Sequence, residues 1–295
     1  MSGNLIELRR RIRSIRNTRK ITRAMKTVSA AKLRKTVVEL NKARPYLSRV
    51  EQLLRGLIGV VEPSLFPLLE TRNEGDRVLV VLTGDKGLCG SFNSHVVRRM
   101  GDFLKESRQQ KQAVRLVTLG NRGHAYCNHR GIAVEKNFSG IMARTTQDDA
   151  REVTDYLSQL FLQEKILDIS FLYTEFSSAS RQEVVLKPLF PVRCQWTDEM
   201  ENGPQTQERD VIYEPSAADV FATLLPRFLE SRILHLLIES QASEHAARMI
   251  AMDLASRNAS DMIQSLTLKL NKLRQASITN ELLEIITATE ALQSQ

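Results

Sequence analysis

The 295-residue chain is poor in several things at once. It has three cysteines, Cys89, Cys127 and Cys194, with no C-x-x-C pair. An odd, scattered set of this kind excludes a disulfide scaffold, gives no zinc signature and fits a reducing compartment. Aromatic residues make up only 5%, with one tryptophan, Trp196. That is thin for one large compact core and implies that part of the chain is extended. No uncharged apolar run approaches the ~18 residues of a membrane helix. From 216 to 292 there is no glycine and one proline, Pro226, and no aromatic residue follows Phe228. With 42% hydrophobic and 26% charged residues, the composition is globular and wholesale disorder is excluded.

The charge is unevenly placed. The chain carries +8, yet residues 1–50 hold 15 Lys/Arg against two acids, Glu7 and Glu39. So steep an asymmetry points to an acidic or polyanionic partner for one end. The basic start (Arg9-Arg10-Arg11-x-Arg13, then Lys20, Arg23 and Lys26) has three readings: the solvated face of a coiled coil, a surface facing an acidic protein, or a nucleic-acid arm. No aromatics interleave it, so base stacking is unsupported. It is Arg-rich like a transit peptide, but its periodicity runs far beyond one.

Residues 1–62 read as a long helix. Apolar positions fall at Leu5, Leu8, Ile12 and Ile15, then Ile21, Met25 and Val28, then from Leu33 through Leu40, Leu47, Val50, Leu54 and Leu57 to Val61. Spacings of three and four fit a coiled-coil seam, with breaks after Ile15 and Val28. Asn4 and Glu7 mark the start, Pro45 predicts a kink or interruption, and Pro63 ends the pattern. Residues 213–295 form a second long helix. Its apolar positions include Ile233, Leu237, Ile250, Leu254, Ile263, Leu266, Leu270 and Leu273, then Ile278, Leu282 and Ile285. From Arg227 to Ala291 it would span roughly 98 Å. A helix that long needs a partner, and the first helix is the obvious one, as an antiparallel coiled coil. The small residues Ala242, Ala246, Ala247, Ala251 and Ala255 would let the two approach closely.

Residues 76–212 alternate strand and helix. Strands are expected at Arg77–Thr83, Val114–Leu119, Asp168–Phe176 and Glu183–Phe190, and helices at 92–109, 121–128 and 144–164; 199–207 is a polar loop. The fold class is α/β: a long antiparallel coiled coil from the chain ends with a small, inserted, Rossmann-like open α/β domain. Gly84-Asp-Lys-Gly87-Leu-Cys-Gly90 lies between a strand and a helix, where a phosphate loop would sit. Its G-x-x-G-x-x-G spacing is not that of a dinucleotide fingerprint, so a tight turn or protein-contact loop is the competing reading. Cys89 near His95, and Cys127 between His124 and His129, lack the third group that a nucleophile or a metal would need. No cofactor is expected.

Four stretches converge on one family: N-T-R-K-I-T-R-A-M-K-T-V-S-A-A-K-L-R-K (17–35), G-D-K-G-L-C-G-S-F-N (84–93), S-E-H-A-A-R-M-I-A-M (243–252) and R-Q-A-S-I-T-N-E-L-L-E-I (274–285). In order and over the whole chain they resemble the gamma-subunit family of F-type ATP synthases. Ala288-Thr289 departs from the family's usual Gly-Ala. The regulatory cysteines and insertion of chloroplast members are absent, so thiol control is not expected. The resemblance implies a non-catalytic central shaft turning inside a hexamer of alpha and beta subunits, driven by proton or sodium flow through a c-ring, with epsilon at its base. It implies contacts with beta at Met25, Lys26, Cys89, Glu244, Arg248, Arg274, Gln275 and Thr279, and with epsilon or the c-ring at Tyr213 and Glu214. It also implies a peripheral place on the cytoplasmic face of a bacterial inner membrane, without membrane insertion and without nucleic acid as a partner. Rival readings are a vacuolar-type shaft, which would lack the inserted domain, a basic-arm DNA binder with salt-sensitive affinity, and an enzyme of the α/β domain.

Overall fold

The structure is a computed structural model and describes residues 2–58, 60–163, 165–192 and 213–293. The expected polar loop 199–207, with Cys194 and Trp196, lies outside them. In order, the elements are α1 (Ser2–Ile58), β1 (Asp76–Leu82), α2 (Phe92–Gln109), β2 (Val114–Leu119), α3 (Asn121–His129), β3 (Lys136–Phe138), α4 (Gln147–Gln163), β4 (Ile166–Phe176), β5 (Gln182–Phe190) and α5 (Ala217–Gln293). They form two compact units. One joins the chain up to Ala30 with the chain from Arg248; the other is Ala31–Ala247. The boundaries fall within the long helices.

The first unit is a two-helix antiparallel pair. On α1 the buried line follows an unbroken three-four spacing through Leu5, Leu8, Ile12, Ile15, Arg19, Thr22, Lys26 and Ser29. The breaks expected after Ile15 and Val28 are therefore absent, because the heptad continues through polar residues. Ile21 and Val28 are 60% and 56% exposed, whereas Thr22 and Ser29 are only 8% and 4% exposed. On α5, Met252 and Ala259, seven residues apart, are buried, while Ile250 and Leu254 face outward. The seam is polar at its middle because the residues at the correct phase are polar; phase outranks hydrophobicity.

The second unit is built on a five-stranded sheet of order β3-β2-β1-β4-β5. β1, β2, β3 and β4 are parallel, and β5 closes antiparallel on β4. Both faces of β1 are covered, which explains its continuous apolar run. Leu79 and Val81 pack with Val96, Met100 and Phe103 of α2 and Cys127 of α3. Val78, Val80 and Leu82 point the opposite way, into a core shared with α4, with Phe228, Ile233 and Leu237 of α5, and with Leu47, Val50, Leu54 and Leu57 of α1.

Two helix starts are capped by side chains, the first reciprocally. Thr146 Oγ1 accepts the Asp149 N–H at 3.2 Å while Asp149 Oδ2 accepts the Thr146 N–H at 2.8 Å. At the start of α5, Ser216 Oγ accepts the Asp219 N–H at 3.1 Å and donates to Asp219 Oδ2 at 2.6 Å. The interruption expected at Pro45 does not occur, and α1 runs through it. Pro45 and Asn41, whose carbonyl loses its donor, are both exposed, so that carbonyl lies where water can reach it.

Candidate functional site

In the two-helix unit, Lys26 Nζ donates to Asp253 Oδ1 at 2.6 Å and Arg257 donates to Asp253 Oδ2 at 2.8 Å. The hydrogen bond from Lys26, with the nearby Arg257 charge, holds the Asp253 carboxyl below its usual range. Around this pair lies a groove of about 420 Å³ lined by Arg19, Arg23, Lys26 and Thr27 of α1 and Asp253, Ser256 and Ser260 of α5. Met25 beside it is half-buried. Farther along α5, Arg274, Gln275 and Thr279 are exposed. The Thr279 hydroxyl bonds back to the Gln275 carbonyl at 3.0 Å. Ile278, Leu282, Leu283, Ile285 and Ile286 are exposed as well, so this end presents apolar side chains beside polar ones. Arg248 is half-buried.

In the α/β unit the loop after β1 is fixed from several sides. The Gly84 N–H donates to Asn93 Oδ1 at 2.9 Å, and Asp85 Oδ1 accepts the N–H groups of Asn121 and Gly140 at 3.1 and 3.3 Å. Asn93 Nδ2 donates to the Cys89 sulfur at 3.1 Å. Cys89 is 1% exposed, whereas its neighbour Leu88 is 64% exposed, at φ 62°. The loop thus presents leucine, not thiol, held in a left-handed backbone that an L side chain rarely adopts. Cys127 is also buried, near the Met100 sulfur at 4.0 Å, and burial pushes its thiol up. His95 is exposed, and His124 sits 3.1 Å from Asn128. Among the described residues no three His, Cys, Asp or Glu side chains cluster as a metal would require.

The crevice at the carboxyl ends of β1 and β4 is where open α/β sheets hold ligands. Here α5 enters it. Glu244 is 4% exposed, and a Cβ on Gly84 would lie 2.8 Å from its Oε1. One turn earlier, Gln241 Nε2 donates to the Met142 carbonyl at 3.2 Å. A carboxylate closing on the loop would repel a phosphate there. The glycine at position 84 thus leaves space for the close approach of α5. Tyr213 is half-buried against the core and Glu214 is exposed.

Sequence reading missed one feature, a buried ionic cluster on α5. Arg232, His235 and Glu239 all lie under 9% exposed. Its signal was two titratable residues four apart, His235 and Glu239, inside the apolar run I-L-H-L-L-I-E.

Among the described residues, no helix is long and apolar enough to cross a membrane. Residues 4–292 match the family profile described as ATP synthase. The ATP synthase gamma chain of Moorella thermoacetica is 38% identical over 291 residues, covering 99% of this chain and all of the relative. That of Trichlorobacter lovleyi is 37% identical, with 99% of each chain covered. Among solved structures, a chain of the Euglena gracilis mitochondrial ATP synthase (OSCP/F1/c-ring) superposes with a TM-score of 0.68 at 18% identity, covering 100% of this chain and 96% of that one. A chain of the Tetrahymena thermophila mitochondrial central stalk and c-ring gives 0.60 at 23%, covering 80% and 99%. The motifs, the paired end helices, the inserted sheet and these end-to-end matches agree: the chain belongs to the ATP synthase gamma chain family.

Proposed function

We propose that this chain is the central rotor shaft of an F-type ATP synthase. It carries no catalytic residue of its own and couples ion flow through a c-ring to ATP synthesis and hydrolysis on beta subunits. The observation that carries this reading is the collinear match, over 99% of the chain, to proteins named ATP synthase gamma chain. The physics supports it. A two-helix shaft with unlike faces, touching three equivalent sites, biases the conformational equilibrium of each differently, which is what coupling requires.

The basic first helix, with Met25 and Lys26 beside the groove, faces an acidic lever of beta. The loop that holds Cys89 meets the same partner through the exposed Leu88. Glu244, Arg248 and the exposed Arg274, Gln275 and Thr279 make the upper contact with beta. Tyr213 and Glu214 face epsilon or the c-ring. The protein is peripheral, on the cytoplasmic face of the membrane.

Co-expression of the tagged chain with alpha and beta subunits tests the reading. One copy per three alpha/beta pairs, with stimulated ATP hydrolysis, is expected. Failure to associate, with salt-sensitive DNA binding instead, would replace it with the basic-arm reading.

A further inference from the structure

His235 and Glu239 sit one turn apart on α5, 8% and 5% exposed. Neither belongs to the contacts described above. The Tyr173 hydroxyl on β4 donates to the Glu239 carboxylate. Glu175, two residues along β4, is paired with Lys187 of β5 at 2.5 Å. Arg232, 8% exposed, precedes His235 on the same helix, and His235 Nδ1 is buried without a hydrogen-bond partner among the described residues. The cluster therefore joins the sheet and α5 with ionisable groups, where the flanking residues Ile233, Leu236 and Leu237 are apolar.

We propose that His235 and Glu239 set a pH window for the docking of α5 on the sheet, with His235 loosening the helix on the acid side and Glu239 on the alkaline side. A proton on His235 would add a cation, out of water, to Arg232, Arg44 and Lys187. An ionised Glu239 would add a buried anion beside Glu175, with Lys187, Arg232 and the Tyr173 hydroxyl offsetting part of the cost.

The pKa directions agree. Burial, then the cations Arg232, Arg44 and Lys187, lower His235 from 6.5 to about 4. Its contribution to docking is full above 6.5 and is lost as pH falls toward 4. Burial, then Glu175, raises Glu239 above its ordinary 4.5. Its contribution is full below 4.5 and is lost as pH rises through the raised value. Each slope is about tenfold in the opening equilibrium per pH unit. Where both groups titrate the slopes oppose, so the pair flattens the pH response of this helix.

Hydrogen exchange of the α5 segment 228–245 in the full chain, corrected for intrinsic exchange rates, reads this between pH 4 and 9. Glu239→Gln leaves only the His235 slope: protection climbs about tenfold per unit toward pH 6.5 and is level above it. His235→Gln leaves only the Glu239 slope, so protection falls as pH rises above 4.5. The unaltered chain is flatter than either. Tyr173→Phe removes one hydroxyl from the cluster and extends the alkaline loss to higher pH, so the inference remains testable if Glu239→Gln does not fold. Variants that retain the unaltered chain's profile would overturn it.

Discussion

The two units solve burial in opposite ways. In β1, Val78, Leu79, Val80, Val81 and Leu82 are all at most 1% exposed, because helices cover both faces of the sheet. In the two-helix unit, α1 buries only Ile12, Thr22 and Ser29 among its described side chains, and two of the three are polar. Two helices can hide one stripe each, so most of their surface stays in water or awaits a partner. The α/β unit is thus expected to carry the chain's intrinsic stability, while the helix pair is finished by what surrounds it.

That contrast can be broken by substitution. Phe161→Ala, fully buried between α4 and the sheet, should cost about 3–5 kcal/mol, read as a large drop in the denaturant midpoint. An effect under about 1 kcal/mol would mean that the α/β core is loosely packed. Ile12→Ala in the helix pair should cost about 2 kcal/mol, the low end of such truncations, because one side of the site can relax into solvent. Ile21→Ala and Val28→Ala sharpen the point. Both should stay within about 0.5 kcal/mol of the parent, since the side chains face outward. Losses as large as that of Ile12→Ala would return Ile21 and Val28 to the seam. The smallest effect is expected from Asp253→Asn, a slight fall in Tm that disappears in 1 M salt. The bonds from Lys26 and Arg257 depress the Asp253 pKa, so their contribution is present above the ordinary carboxylate range and lost as pH falls through the lowered value.

Much of this was legible in the residues. The α/β alternation was, because Val78–Leu82 and the i, i+4 series Phe92, Val96, Met100 announce their periods plainly. β3 was not, since three residues at an edge show no period. The seam was legible in kind but not in phase. Hydropathy picks Ile21 and Val28, whereas the heptad from Ile15 to Leu33 passes through Arg19, Thr22, Lys26 and Ser29. Pro45 does not interrupt α1, because helix breaking depends on whether water can reach the freed carbonyl. The loop motif announced a tight turn or a protein contact, but not that Glu244, 160 positions away, closes on it. Pairings over such distances are decided by topology, which local spacing does not carry.

The first thirty residues and the last forty-eight share one unit, with Ala31–Ala247 between them. On the ribosome this order has a cost in time. At about 5–20 residues per second, the basic start of α1 waits roughly 10–45 s before the partner that covers it has been synthesised. For most of that interval the α/β unit also lacks the α5 part of its core, Phe228, Ile233 and Leu237, while Ile12 and its neighbours stay open to any nascent chain or chaperone within reach. The last-made residues, not the first, decide when the molecule is finished.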